Sequence, residues 1–378
     1  MAGASSLPTA RCHRCAPLQK SGATSGGRAR AVVPRGHNEQ VHSQRTDRDR
    51  RDRDGQPFAP EVLTVGRIGV DLYPEQSGVP LSAVTTFARS LGGTATNVAV
   101  AAARLGHRSA VLTKVGPDEF GTFAREALAG FGVDTRHVGT AQDLLTPVVF
   151  CALDPPQDPP LLFYRLPVAP DLTLTGGDVP WDLVREVPVL WLTGTGVSRE
   201  PARQTQLDLL AHRRRPERGD RRWTVLDLDW RPMFWPSPQE ARREYDLMLG
   251  QVNVVVGNLA EMAVAVGTSD PVEAARRLLD RGVELALVKK GAEGVLVATG
   301  ESMNTVAPQR VDVVCGLGAG DAFGGALIHG LLSGWDPERI ARYGNAAGAI
   351  VVAQLACADA MPTIEELDAM VAGQWVRP

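Results

Sequence analysis

Nowhere in this chain do about 18 apolar residues follow one another, so no membrane-spanning helix is expected. Charge of one sign is not in excess either. The formal net charge is −3, which gives no electrostatic case for a nucleic-acid partner. Cysteines are few and scattered: Cys12, Cys15, Cys151, Cys315 and Cys357. Their odd number and irregular spacing exclude a disulfide framework and predict reduced thiols in a cytoplasmic protein. Two phosphate-binding signatures are also missing. No G-x-x-x-x-G-K-S/T occurs, which excludes a P-loop, and no G-x-G-x-x-G follows the first strand, which excludes the dinucleotide fingerprint. What remains is an ordinary soluble composition, 44% hydrophobic and 22% charged, over 378 residues.

The first 60 residues stand apart. They are rich in Arg, Ser, Gly and Gln, lack apolar periodicity, and carry a mixed-charge run from Asp47 to Asp54 that cannot bury a face. A disordered extension is expected over residues 1–60 and one ordered domain over 61–378. Cys12 and Cys15 would supply half of a zinc site, but no second pair follows at ligand spacing, so no metal is expected there. The Arg-rich, acid-poor start has a faint likeness to a transit peptide; a solvated extension, or a start codon assigned too early, accounts for it better.

From Glu61 onward apolar strands alternate with amphipathic helices. Strands are expected at 62–66, 109–115, 189–193, 223–229, 252–256, 285–289 and 295–298. Helices are expected at 98–105, 120–131, 201–213, 259–266, 271–281, 322–332, 337–352 and 364–371. This alternation predicts an α/β protein with a parallel sheet covered on both faces. Residues of about 72–90 and 146–166 break the pattern. The second stretch holds two short strands around the proline-rich Asp154–Pro160, too interrupted for a central sheet position. Together the two predict a small appended β-sheet, a lid.

The chain is organised around Cys315-Gly316-Leu317-Gly318-Ala319-Gly320-Asp321-Ala322-Phe323. Val311, Val313 and Val314 predict a short strand before it, and Leu327, Ile328, Leu331 and Leu332 a helix after it. Glycines let the backbone approach an anion, and the N–H groups of a first helical turn favour negative charge. Asp321 in that turn would repel a phosphate. It suits instead a base that takes a proton from a hydroxyl attacking a phosphoryl group. The alternative is a Gly-rich helix start with Asp in a dipole-favoured position.

Three further places carry candidate chemistry. Asn97 follows Gly92-Gly93 at a helix start and reads either as a cap or as an amide for a hydroxyl-rich ligand. Asp71, at a strand end, reads as a turn residue or a ligand contact. Asn258 and Glu261 read locally as an N-cap and its capping-box partner, yet their spacing also suits Mg2+ held through water beside phosphates.

Taken together and in order, these elements resemble a known family. Gly92-Gly93-x-x-x-Asn97-x-Ala99 with Gly106 and Gly116 is similar to the first signature of the PfkB (ribokinase-like) sugar kinases. Gly318 to Phe323 is similar to the second, and Asn258-x-x-Glu261 to their magnesium motif. The resemblance covers residues 61 to about 372. It implies a three-layer α/β/α sandwich with a β lid over a sugar site, with ATP and Mg2+ as cofactors. Asp321 is then the catalytic base, and the amides of Gly318, Ala319 and Gly320 the anion hole for the transferring phosphoryl. Asp71, Gly93 and Asn97 match sugar-hydroxyl contacts, Asn258 and Glu261 position Mg2+, Gly291 and Gly294 form a nucleotide-phosphate turn, and Asn345 lies near the adenine.

The substrate has its own signals. Arg165 ends a lid strand and Arg231 follows a core strand, so both are expected to face one cleft, and two guanidiniums suggest a carboxylate. The alternative for each is a salt bridge. Asp227 to Trp235 is similar to the D-x-N-x-R-x-x-L-W element of 2-keto-3-deoxygluconate kinases, with Asp229 in place of Asn and Phe234 in place of Leu. The stretches Val65–Pro74, Ser90–Asn97 and Cys357–Pro362 resemble the 5-dehydro-2-deoxygluconate kinases of myo-inositol catabolism. That subgroup implies ATP-dependent phosphorylation of a 6-hydroxyl on a small-molecule sugar acid. The rivals are a 2-keto-3-deoxygluconate kinase and a non-catalytic sugar-acid sensor. Cys315 departs from the resemblance, which implies Asp there in the broader family and Asn in this subgroup, near a monovalent-cation loop. A tolerated substitution is the leading reading; weak or absent K+ activation, since a thiol is a poor ligand for K+, and thiolate redox chemistry are the alternatives. An exposed sheet edge predicts a homodimer through the lid.

Overall fold

The computed structural model describes residues 59–377 except 77, 217, 218 and 356. The Cys12–Cys15 pair, the Asp47–Asp54 run and all but the last two residues of the expected extension lie outside the described residues. In chain order the strands are β1 (Val62–Val65), β2 (Gly69–Pro74), β3 (Phe87–Gly92), β4 (Ser109–Val115), β5 (Val138–Thr140), β6 (Val148–Cys151), β7 (Leu161–Tyr164), β8 (Val189–Thr193), β9 (Trp223–Asp227), β10 (Val254–Asn258), β11 (Leu285–Lys289), β12 (Val295–Ala298) and β13 (Met303–Val306). The helices are α1 (Thr94–Arg104), α2 (Glu119–Gly130), α3 (Trp181–Glu186), α4 (Ala202–Arg213), α5 (Pro238–Leu249), α6 (Leu259–Val266), α7 (Pro271–Asp280), α8 (Ala319–Leu332), α9 (Pro337–Val352) and α10 (Ile364–Val371).

The main sheet has the order β13-β12-β11-β10-β9-β8-β1-β4-β5. β12 and β13 are antiparallel additions at one edge; the other pairings are parallel. The strand period of two sends alternate side chains to opposite faces. Leu190 and Leu192 of β8 pack with Leu226, Ala241, Tyr245 and Met262 on the α3–α7 side. Val189 and Trp191 pack with Val98, Phe323 and Leu327 on the side of α1 and α8. Burying each such side chain contributes about 1.5–3 kcal/mol. Helices α1 and α8 approach closely because Gly324 and Gly325 leave room: a side chain at Gly324 would collide with Trp191, and one at Gly325 with Ala101.

The lid is a separate four-stranded sheet, β3-β2-β6-β7. Its first pair spans residues 69–92, wider than the expected 72–90, and runs directly into α1. Asp71 therefore sits inside lid strand β2, paired with Ser90, and not at the end of a main-sheet strand. The expected strand before Cys315 does not form. β13 ends at Val306, and the N–H groups of Val314 and Cys315 donate instead to the carbonyl of Val352 at the end of α9. Four unexpected elements are present. β5 and β13 are short strands at the sheet edges, and α3 has only six residues. Helix α5 was masked by its charged face, although Ser237 caps it and Pro238 occupies its first position.

Candidate active site

Two helices begin in the same unusual way. α1 starts after Gly93 (φ 103°) and α8 after Gly318 (φ 80°), both backbone conformations that favour glycine, and neither has a side-chain cap. By contrast Asp118, Ser237, Asp270 and Asp336 cap α2, α5, α7 and α9. The first-turn N–H groups of α1 and α8 thus lack side-chain partners, and both helix starts line one cavity of about 400 Å3. The lid contributes Asp71, Phe163 and Arg165 to that cavity, and the ends of the main strands contribute Asp227, Asn258 and Lys289.

Asp321 is the third residue of α8. Asn97 of α1 donates its amide to Asp321 Oδ2 at 2.7 Å, so Asn97 orients this carboxylate and caps nothing. Burial pushes the Asp321 carboxyl up to about 6, and the Asn97 hydrogen bond opposes the rise. A carboxylate in that range holds a proton more readily than a surface aspartate and still ionises at neutral pH. Asn97 Oδ1 is buried with no partner among the described residues, an acceptor placed for a ligand hydroxyl. Asp71 is buried beside it, where burial raises its carboxyl to about 7 against the pull of Arg67. Gly92 is required next to it, since any side chain there would overlap the Asp71 carboxylate.

At the lid end of the cavity three guanidiniums gather. Arg165 and Arg231 do face one cleft as their positions predicted, but each also has a carboxylate partner: Asp171 at 3.1 Å and Asp229 at 3.3 Å. Arg67 was not singled out in the sequence, although it stands in the Gly-Arg-Ile-Gly loop after β1. It is buried, donates to Asp229 at 2.6 Å and 2.8 Å, and also reaches Thr94 and Thr195. Burial alone would raise the Asp229 carboxyl. Arg67 and Arg231 outweigh that and hold it below the ordinary range. Phe234 underlies the group, with the Arg165 guanidinium 4.7 Å from its ring centre.

A second cavity of about 710 Å3 lies on the other side of the glycine loop. Gly291 and Gly294, the turn between β11 and β12, line it, as does Asn345 of α9. Asn345 spends its amide on the carbonyls of Val306 and Ala307, so it shapes the wall by tying α9 to the end of β13. Asn258 and Glu261 form a reciprocal capping box: Asn258 Oδ1 accepts from the Glu261 amide at 2.9 Å, and Glu261 Oε2 from the Asn258 amide at 2.7 Å. The local reading therefore holds, and the cap fixes the Glu261 carboxylate at the rim of the first cavity. No group of three or more His, Cys, Asp or Glu among the described residues is arranged to hold a metal. The Glu261 carboxylate is a hard-oxygen donor of the kind that suits a divalent cation keeping most of its water.

Asp227 and Lys289 also escaped the sequence reading. Burial raises the Asp227 carboxyl to about 8 against the pull of Lys289. Cys315 packs in an apolar cluster with Tyr73, Cys151 and Cys357. Burial pushes its thiol up, which counts against the alternative of thiolate redox chemistry and is compatible with a tolerated substitution. Among the described residues no helix is long and apolar enough to cross a membrane.

Comparison with known proteins agrees with this architecture. Residues 59–364 match the pfkB family carbohydrate kinases. A 5-dehydro-2-deoxygluconokinase of Geobacillus thermodenitrificans is 31% identical over 319 residues, covering 82% of this chain and 93% of that relative. The enzyme of the same name from Bacillus subtilis is 30% identical over 320 residues, covering 83% and 96%. Among solved structures, a Vibrio cholerae fructokinase with fructose, ADP and calcium bound is 28% identical with a TM-score of 0.72, covering 82% of this chain and 98% of that one. A PfkB protein from Polaromonas is 28% identical with a TM-score of 0.69, covering 82% and 100%. Since the match runs through both glycine-led helix starts and the sheet between them, the chain belongs to the pfkB family of carbohydrate kinases and has the ribokinase-like α/β/α sandwich with a β-sheet lid.

Proposed function

We propose that this kinase transfers the γ-phosphoryl group of ATP, with Mg2+, to the 6-hydroxyl of 5-dehydro-2-deoxy-D-gluconate. The observation that carries the sugar-acid reading is a charge count at the lid end of the cavity. Arg67 and Arg231 share one carboxylate, Asp229, while Arg165 is matched by Asp171. The cluster thus has one positive charge beyond its own carboxylates, and a substrate carboxylate would balance it. Relatives named 5-dehydro-2-deoxygluconokinase support the particular acid.

In this reading Asp321 takes the proton of the 6-hydroxyl as its oxygen bonds to the γ-phosphorus. The bond from that phosphorus to the bridging oxygen breaks, and ADP leaves with the electron pair. The amides of Gly318, Ala319 and Gly320 receive the charge that develops on the phosphoryl oxygens. Asn97, Gly93 and Asp71 hold the sugar hydroxyls, with the orphaned Asn97 Oδ1 as one acceptor. The nucleotide would occupy the second cavity, with its phosphates toward the Gly291–Gly294 turn and its base near Asn345. Asn258 and Glu261 would hold Mg2+ through water, and the bound ion supplies charge neutralisation at the phosphates.

A coupled ADP-release assay on the full chain tests the proposal with 5-dehydro-2-deoxygluconate, 2-keto-3-deoxygluconate, ribose and fructose. Preference for the first is expected. Turnover of 2-keto-3-deoxygluconate alone would move the substrate, and turnover of neutral sugars alone would remove the carboxylate argument. Arg231→Met should raise KM for the acid about 10- to 100-fold, the worth of a charge-assisted hydrogen bond at about 1.5–3 kcal/mol, with little change for a neutral sugar. Equal effects on both would count against it. Replacing K+ by a large organic cation should leave the rate nearly unchanged, because Cys315 offers a buried sulfur where a hard oxygen would be needed. Strong K+ stimulation would overturn this. The reading includes a homodimer paired through the lid, where Leu162 and Tyr164 of β7 are exposed; sedimentation reads the stoichiometry.

A further inference from the structure

The two cavities share five lining residues: Gln157, Lys289, Gly291, Gly316 and Gly320. Lys289 is the one ionisable side chain in that set. It ends β11, two residues before the Gly291–Gly294 turn that borders the nucleotide cavity, and pairs in register with Asn258 of β10. Its Nζ lies against the first turn of α8, 3.1 Å from where a side-chain carbon would stand on Gly320, so glycine there makes space for the ammonium.

Among the described residues no hydrogen bond or ion pair within 4.0 Å engages this ammonium. The arginines nearby are otherwise committed: Arg67 and Arg231 to Asp229, Arg165 to Asp171. Lys289 instead stands in the field of Asp227, Glu261 and Asp321 without touching them. Burial disfavours its charge, but those three carboxylates more than compensate and keep it protonated. A charged ammonium with three donors to spare, set between a hydroxyl-binding cavity and a nucleotide-sized one, has the place of the phosphoryl group in transit.

We infer that Lys289 is a catalytic residue that binds the non-bridging oxygens of the γ-phosphoryl group and follows them as the group moves from one cavity to the other. The inference rests on the kinase reading above. Lys289 gains and loses no proton in the transfer: the hydroxyl proton goes to Asp321 and the electron pair leaves with ADP. Its contribution is charge stabilisation from beside the α8 amides, and it is greatest when charge on the oxygens is greatest. The structural alternative is that Lys289 only offsets the buried carboxylate of Asp227.

Two measurements on the full chain separate these roles. The first is kcat and KM. Lys289→Met is expected to lower kcat about 10²–10³-fold, with KM for the sugar acid changed less than about threefold. The second is binding of ADP and of a non-hydrolysable ATP analogue, both with Mg2+. A γ-phosphoryl contact predicts analogue binding about tenfold weaker and ADP binding unchanged. Lys289→Gln, closer in polarity, guards against a misfolded Met variant, and Lys289→Arg should recover part of the rate. Equal weakening of both nucleotides, or unchanged turnover, would overturn the inference while leaving the kinase reading intact. If the wild-type chain phosphorylates none of the sugars but analogue binding still depends on Lys289, the substrate reading fails and the phosphoryl contact stands.

Discussion

Asp321→Asn should lower kcat about 10²–10⁴-fold, the usual worth of a positioned general base, while sugar-acid binding stays nearly intact. The amide keeps the shape of the carboxylate and can still accept the Asn97 hydrogen bond, now 2.7 Å long. What it loses is the ability to take the proton. The pH profile provides an independent check. Burial raises the Asp321 carboxyl to about 6, and only its ionised form serves as the base. The wild-type kcat/KM should therefore fall as the pH drops through about 6, and the residual activity of the Asn variant should lack that limb. Asp71, raised to about 7 by burial, titrates close by, so Asp71→Asn should leave the limb near 6 in place. Steady-state kinetics across neutral and mildly acidic pH would decide it. Full turnover by Asp321→Asn would remove the base assignment.

Arg67→Met should cost about 3–5 kcal/mol of stability, because it leaves a buried carboxylate without its main partner. Arg67 donates to Asp229 at 2.6 Å and 2.8 Å, and both side chains are almost fully buried. Arg231, at 3.3 Å and more exposed, cannot replace it. The loss has a pH signature. The Asp229 carboxyl is depressed in the folded state, so its stabilisation is present at neutral pH and lost as the pH falls through that lowered value. The gap between wild type and Arg67→Met should narrow in acid. Adding Asp229→Leu to Arg67→Met should recover part of the loss, since an apolar pair lacks the stranded charge. Denaturant unfolding of the single and double variants measures both effects. A single-variant loss below about 1 kcal/mol would show that the pair behaves like an exposed one.

The elements that were legible are those with a strong local signal. β4, β8, β11 and β12 stand where the apolar runs put them, and α9 and α10 keep their expected bounds. Gly93 and Gly318 marked two helix starts, although α1 and α8 begin at Thr94 and Ala319 and not at the expected 98 and 322, and Asn258 with Glu261 formed the capping box that their spacing encodes. The misses have a common cause. Val311 to Val314 is apolar enough for a strand, but the N–H groups of Val314 and the following Cys315 both go to the carbonyl of Val352, at the end of a helix. Asp71 was assigned to a strand end because nothing local says that β2 belongs to a second sheet. The thiol of Cys315 was judged by its nearness to a helix start, while its actual surroundings come from Cys151 and Cys357, far away in the chain.

The sequence by itself determined the alternation of strands and helices, the glycines that lead two of the helices, the family and the aspartate in the first turn after the glycine loop. Each depends on residues within a few positions of one another, where periodicity, caps and backbone freedom act. Only the tertiary structure decided how charge is distributed. Arg67 and Asp229 are 162 positions apart and Asn97 and Asp321 are 224 apart, yet the first pair keeps the Asp229 carboxyl low and the second orients the Asp321 carboxylate. The position of Lys289 between two cavities was likewise invisible along the chain. Burial and long-range charge are properties of the assembled sheet with its helices in place, because they depend on what excludes water and not on which residues are adjacent.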